Sequence, residues 1–393
     1  MSNQHLPPEI VDHIVDDLHE ETQTLRDCCL VAKSWVSRTR KHLFGDIKLT
    51  SSKVLESWKN TFPDPSNSPA RHTLALIIDC PEVITAADAE EGGWIQAFSR
   101  VVHLVVRSCV KDGTISFAPL YGFSPILKSL HVSSPMPQGP QLSGLVLSFP
   151  LLEDLTLICR DQFLNEGLNV TQADVPETSP PFTGSLEIQP FGGLGITARR
   201  LLDLPNGLHF RIFGFAWIKA EDIRWTADFL TRCSHTLERL YIVHQFCASA
   251  LVPSWTFYSS SIAGDFGSAS VDLSKAIKLK AIVFRVGSLT VGSITMALRT
   301  ITPEHRDLRL VSISVDTALG FISPNIEHGI PVRLHEQWSD LDRLLVQFLE
   351  SGLVCPKVIV CSALKEEMRE MRDSLGWFLP RAAERGLIEL SPT

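Results

Sequence analysis

No stretch of this 393-residue sequence approaches the ~18 uninterrupted apolar residues that a membrane-spanning helix needs; its many Leu, Ile and Val residues are scattered. A membrane partner is not expected. The start, MSNQHLPPEIVDH, has neither the basic segment nor the apolar core of a secretory signal, which predicts a cytoplasmic or nuclear protein whose thiols stay reduced. The nine cysteines are an odd count with no C-x-x-C pair, so they read as small buried hydrophobes and not as a disulfide framework. Basic blocks are missing as well: 36 Lys and Arg stand against 44 Asp and Glu, a net charge of −8, and nucleic acid is not an expected partner.

Signatures of catalysis are equally scarce. There is no G-x-S-x-G elbow and no pair of carboxylates in a setting that would tune them, and HEQWS at His335 lacks the second His of a zinc protease. GLGITA, residues 193–198, satisfies G-x-G-x-x-A. However, Pro205 ends the following helix within about two turns, and no acidic residue follows at a strand end about 20 residues on, so it reads as a turn. Cys233-x-His235 with His244-x-x-Cys247 is zinc-compatible by residue type. Cys233 belongs to an apolar helix face and His244 to a strand end, so packing is the simpler account. Asn169-Val170-Thr171 is a glycosylation sequon only in a secreted protein. None of the cysteines has the electropositive setting of a reactive thiol. The expectation is a protein without catalytic activity of its own, and with no cofactor or metal.

The chain does contain enough apolar residues, 44%, with 20% charged, to fold around a sizeable core. Its length suits two domains or one repetitive array. Pro7 and Pro8 sit where a helix tolerates proline, Glu9 and Asp12 meet the positive end of its dipole, and Ile10, Ile14 and Leu18 recur every fourth residue with Val11 and Val15 beside them. HEETQT interrupts the pattern. Thr24 is then the predicted N-cap of a second helix through Leu25, Cys28, Cys29 and Ala32, and Ser34 that of a third, carrying Trp35 and ending near Leu43 and Phe44. Three short helices in about 40 residues are at the edge of independent stability, so an apolar face left over from internal packing should seek a partner.

Leu6-Pro7-x-Glu9-Ile10, Ile14, Leu18, Leu25, Val31-x-Lys33-x-Trp35 and the closing Leu43-Phe44 resemble the F-box. F-box proteins are substrate-recruiting subunits of SCF-type cullin–RING ubiquitin ligases and dock on a Skp-family adaptor through this module. The resemblance implies Leu6, Pro7, Glu9, Ile10, Ile14, Leu25, Val31 and Trp35 as docking residues, with a cullin reached through the adaptor and a substrate protein, unidentified, held elsewhere. It covers residues 5–48, with a helix 1 to helix 2 break slightly longer than usual and Ala32 where a Cys is frequent.

From residue 70 onward one phrase recurs, as RVVHLVVRSC (100–109), PILKSLHVSS (125–134) and PLLEDLTLIC (150–159), with the core L-x-x-L-x-φ. Leu104 to Leu130 is a step of 26 residues and Leu130 to Leu155 one of 25, inside the roughly 20–29-residue period of leucine-rich repeats. Looser copies follow as SLEIQPF, LHFRIFGF, TLERLYIV, LKAIVFRV, LRLVSISV and PKVIVCS. Helices are predicted at AEDIRWTADFLTRC and at SDLDRLLVQFLESG, where Ser339 and Asp342 look like a capping box and Gly352 a stop. ALKEEMREMRDSLGWFL puts Leu364, Met368, Met371, Leu375 and Phe378 on one stripe, as expected of a terminal capping helix. DPSNSPA (64–70) reads as a hinge, and the polar, proline-rich stretch 159–185 as a surface loop.

The fold class expected is therefore α/β: a three-helix F-box over residues 1–50, a linker over 51–69, and an irregular leucine-rich-repeat-like solenoid with a parallel sheet over 70–393. The layout resembles that of many fungal F-box proteins. The alternative is a stand-alone repeat scaffold or interaction protein whose N-terminal helices are only a structural cap.

Overall fold

A computed structural model describes residues 7–79, 84, 88, 90, 93–107, 117–134, 139–159, 180–189, 201–204, 207–217, 220–244, 271–286, 291–316, 332–362 and 365–392. The fold is mixed α/β, and the described residues fall into two compact units, one ending at Pro181 and one beginning at Phe182. The readings of GLGITA, Asn169, Cys247 and Leu364, and most of loop 159–185, lie outside the described residues.

The first unit opens with three helices, α1 Pro8–Asp17, α2 Thr22–Val31 and α3 Lys33–Leu43. They are followed by β1 Asp46–Leu49, α4 Ser52–Thr61, β2 Ala75–Ile78, β3 His103–Arg107, β4 Ser129–Ser134, α5 Gly139–Leu147 and β5 Asp154–Cys159. Strands β1 to β5 pair in sequence order, all parallel. Because side chains alternate across a strand, parallel in-register pairing lines up equivalent residues of successive repeats. One buried row is Ile47, Leu76, Leu104, Leu130 and Leu155; the other is Leu49, Ile78, Val106, Val132 and Leu157. Each such side chain contributes about 1.5–3 kcal/mol on leaving water, so the repeated apolar positions are what fix the register.

The second unit contains β6 Ser185–Gln189, β7 Ile212–Trp217, α6 Ala220–Cys233, β8 Arg239–His244, β9 Ala281–Val286, α7 Val291–Arg299 and β10 Leu310–Asp316. It ends with α8 Val332–Glu350, β11 Cys355–Ser362, α9 Lys365–Phe378, α10 Pro380–Glu384 and β12 Ile388–Pro392. Its seven strands are again parallel neighbours in sequence order, with Ile188, Phe215, Ile242, Phe284, Ile313 and Val358 in one buried row.

Both units reuse one way of entering a strand. The carbonyl of the residue before a strand accepts two backbone N–H groups from the next repeat: Gly45 from Leu74 and Ala75, Leu74 from Val102 and His103, Val102 from Lys128 and Ser129, Lys128 from Glu153 and Asp154. In the second unit Gly184, Arg211, Glu238 and Lys280 do the same for the strands that follow. Two residues before the strand a side chain is buried each time: Thr73, Val101, Leu127, Leu152, Phe210, Leu237, Leu279 and Leu308. That residue is the first L of the L-x-x-L-x-φ phrase, so the phrase encodes a buried turn anchor as well as a strand.

Polar side chains in the same turns reach the previous repeat. Ser124 Oγ donates to the carbonyls of Ser99 (3.0 Å) and Val101 (2.7 Å), and Thr236 Oγ1 donates to that of Phe210 (3.1 Å). The buried His305 ring lies with Nε2 3.0 Å from the Leu273 carbonyl. These bonds satisfy backbone groups that the turns would otherwise bury unpaired.

Strands β3 to β11 fall on the nine Leu-rich phrases, and α6 and α9 on the predicted helices. Met368, Met371, Leu375 and Phe378 are buried as the stripe requires. Several local expectations change. Helix α2 begins at Thr22, two residues before Thr24, whose hydroxyl bonds back to Glu21 (2.8 Å). Helix α3 has no side-chain cap; Ala32 takes the extended N-cap position and Ser34 is the second helical residue. Helix α8 starts at Val332, so Ser339 lies inside it, whereas Gly352, at φ +66°, does stop it. The stretch expected to be a linker carries α4, capped by Ser51, and two 3-10 turns, Pro65–Asn67 and Pro69–His72. Helix α9 is not terminal: α10 and β12 follow it.

Candidate functional site: an outward apolar face on the N-terminal helices

The three N-terminal helices enclose a small core of Val11, Val15 and Leu25, with Leu18, Trp35 and Leu43 packed around it. Helix α1 begins where Pro7 turns the chain (φ −52°, ψ 140°); its carbonyl accepts from Ile10 N at 3.0 Å and Val11 N at 3.2 Å, and Pro8 occupies a position whose missing N–H costs nothing. Helix α2 is bound to α3 through Cys29 Sγ, which donates to Thr39 Oγ1 (3.2 Å), and that hydroxyl in turn donates to the Trp35 carbonyl (2.6 Å).

A charge cluster fixes α1 to α3. Arg38 holds Asp16 through both of its carboxylate oxygens, with Nε 2.6 Å from Oδ1, and His42 Nε2 lies 2.7 Å from Oδ1. The hydrogen bond from Arg38, and next that from His42, hold the Asp16 carboxyl far below the usual carboxylate range.

Four large apolar side chains of these helices stay outside the core: Ile10 at 48% exposure and Ile14 at 39% on α1, Leu30 at 86% and Val31 at 66% on the last turn of α2. On α1 the division follows from helical geometry. Ile10 and Ile14 are one turn apart and share a face, while Val11 and Val15, each about 100° further round, face α3. Of the docking residues the resemblance implies, Pro7, Glu9, Ile10, Ile14 and Val31 are exposed, Trp35 is half-buried against the core, and Leu6 lies outside the described residues. Leu25, at 1% exposure, is buried in the internal core with Val11 and Val15 and does not share the exposure of the others. Leu30 is the addition. It stands well off the Leu25–Cys28 face of α2, five residues and about 140° round the helix from Leu25.

Among the described residues no group of three or more His, Cys, Asp or Glu could hold a metal ion. Cys233 is fully buried, and burial pushes its thiol up to about 12, while the exposed His235 ring sits edge-on to His209 at a centroid distance of 5.2 Å, its Nε2 3.1 Å from His209 Nδ1. No described helix is long and apolar enough to cross a membrane. No model of a known protein family matches the chain, and no curated protein matches it.

Proposed function

We propose that this protein is the substrate-recruiting subunit of an SCF-type cullin–RING ubiquitin ligase. In this reading the N-terminal helices are an F-box that docks on a Skp-family adaptor, and through it a cullin, and the parallel-stranded repeats stack as a leucine-rich-repeat-like solenoid that binds a target protein. The observation that carries the reading is the set of exposed apolar side chains Ile10, Ile14, Leu30 and Val31 on a module whose own core is already filled by Val11, Val15 and Leu25. Large exposed apolar residues gathered on one small module suit a docking face, and Pro7, Ile10, Ile14 and Val31 are positions at which the F-box resemblance expects contact. The protein acts as a matchmaker, with no chemistry of its own.

A second reading has a specific observation in its favour. Thr73 Oγ1 donates to the Phe44 carbonyl (2.9 Å), Leu74 N to that of Gly45 (2.7 Å), and Phe44 packs edge-on against Trp58 and Phe62, so the helices also close the first end of the repeat array. In a stand-alone scaffold that would be their whole task. Calorimetric titration of the full chain with a Skp-type adaptor separates the two. Adaptor binding that is lost in Leu30→Asp/Val31→Asp, with an unchanged circular dichroism melt, supports the F-box reading; absence of wild-type binding leaves the scaffold reading.

A further inference from the structure

The entry turns of the first three repeats, β1 to β3, present a cluster of cations that no described acidic residue pairs with. Arg40 and Lys41 lie in the last turn of α3, six and five residues before β1; Arg71 belongs to the 3-10 turn before β2; Arg100 lies in the turn before β3. Helix α3 is tied to the second turn by the Thr73 bond to Phe44, and the second to the third by Val102 N on the Leu74 carbonyl (2.8 Å). Successive turns are therefore about one strand spacing, ~4.8 Å, apart, and the four charges share one edge. All four are exposed, and none has an ion-pair or hydrogen-bond partner among the described residues. Asp46, which opens β1 beside them, pairs with none of them either. The following repeat breaks the run, since Lys128 is bound to Glu153 at 2.8 Å.

His72 reports the field in the middle of this edge. Its Nδ1 is buried without a partner, and burial, then the charges of Arg71, Lys41, Arg100 and Arg40, push the imidazole below its ordinary value. Like charges held together without counterions destabilise a fold, so a concentration of this kind is better accounted for by a partner than by stability.

We infer that the edge formed by Arg40, Lys41, Arg71 and Arg100 is a docking surface for a short acidic segment of a partner protein. Three observations favour a peptide over a nucleic acid or a membrane. The patch spans only three turns, and the chain around it carries a net charge of −8, which repels a long polyanion beyond the patch. Among the described residues no exposed aromatic ring is interleaved with the cations as a stacking platform: Trp94 and Phe98 are buried. The patch is independent of the apolar face proposed above for the adaptor, whose residues lie on α1 and the end of α2.

The experiment is fluorescence anisotropy of the full-length protein with a labelled hexaglutamate peptide, run beside hexalysine, a single-stranded oligothymidylate and vesicles containing one-third phosphatidylserine. Expected are binding of hexaglutamate alone, weakening as salt rises, and a loss of about tenfold in Arg40→Glu/Lys41→Glu and again in Arg71→Glu/Arg100→Glu, two variants on different elements. Reversal of Arg381 and Arg385, a second cationic pair in the other unit, should leave binding unchanged. Absence of hexaglutamate binding, equal binding by either folded variant, or preference for the oligonucleotide or the vesicles overturns the inference.

Discussion

Asp342 on α8 caps α10 across 40 residues: its carboxylate accepts from Ala382 N at 2.8 Å and from Arg381 N at 3.2 Å. Helix α10 has only five residues and no side-chain cap of its own, and Pro380 at its start supplies no N–H. A five-residue helix does not hold itself together, so its geometry depends on this carboxylate. Asp342→Ala leaves the buried Ala382 N–H and the partly buried Arg381 N–H unpaired and should destabilise the second unit by about 1–3 kcal/mol. Chemical denaturation followed by circular dichroism reads this directly; an unchanged midpoint would mean that α10 is held by Ala382 and Leu379 packing alone.

That cap also marks where sequence reading stops. In sequence Asp342 reads as a local capping box with Ser339 because such boxes are recognisable within four residues, whereas a carboxylate that caps a helix 40 residues away leaves no local trace. Strands β3 to β11 were legible because their L-x-x-L-x-φ phrase repeats the same burial. Strands β1, DIKL, and β2, ALII, are four residues each and lack the phrase, and β12 ends on Pro392. Helix α4 carries a local signal of its own, Ser51 as cap and then Val54, Leu55 and Trp58 at helical spacing. At the candidate site the sequence located the helices. It could not say that Leu25 faces in and Leu30 out, since that depends on which face α3 covers.

The Asp16 cluster should make the N-terminal module sensitive to acid. Asp16 has a folded-state pKa below its unfolded value of ~3.9, so its contribution is fully present above pH ~4–5 and is lost as pH falls through and below the usual carboxylate range. The side chain is 36% exposed, so solvent screening keeps that contribution modest. Asp16→Asn should lower the melting midpoint at pH 7, and the gap to wild type should begin to narrow below pH ~4 and close only at pH values well below the usual carboxylate range. A gap that is constant with pH would mean that the pair with Arg38 adds no electrostatic stability.

His305 is wholly buried at a repeat entry turn, between the Leu273 carbonyl and Thr302 N, which lies 3.1 Å from its Nδ1. These two bonds fit a ring that donates from Nε2 and accepts at Nδ1. His305→Ala removes both partners and leaves a cavity, and should cost about 2–4 kcal/mol. His305→Phe fills the volume but leaves the carbonyl and the N–H unpaired. Denaturation midpoints of the two variants separate packing from hydrogen bonding: equal losses assign the cost to the hydrogen bonds, and a phenylalanine variant as stable as wild type assigns it to packing.

Adjacent residues on α1 offer the sharpest test of how the candidate site is built. Val15 is completely buried in the three-helix core, while Ile14, its neighbour, is 39% exposed. Val15→Ala deletes two buried methyl groups and should cost about 1–3 kcal/mol of stability. Ile14→Ala removes surface that nothing in the module covers and should change stability by no more than about 0.5 kcal/mol. If Ile14 is a docking residue, adaptor affinity reverses the order: Ile14→Ala weakens it by about tenfold or more, at about 1.4 kcal/mol per factor of ten. Val15→Ala, measured well below its melting point, binds nearly as wild type. The reversal is what matters, because a helix that only capped the repeats would give one ranking in both assays. An Ile14→Ala variant that keeps both its melt and its adaptor affinity would remove α1 from the docking face and leave Leu30 and Val31 to carry it alone.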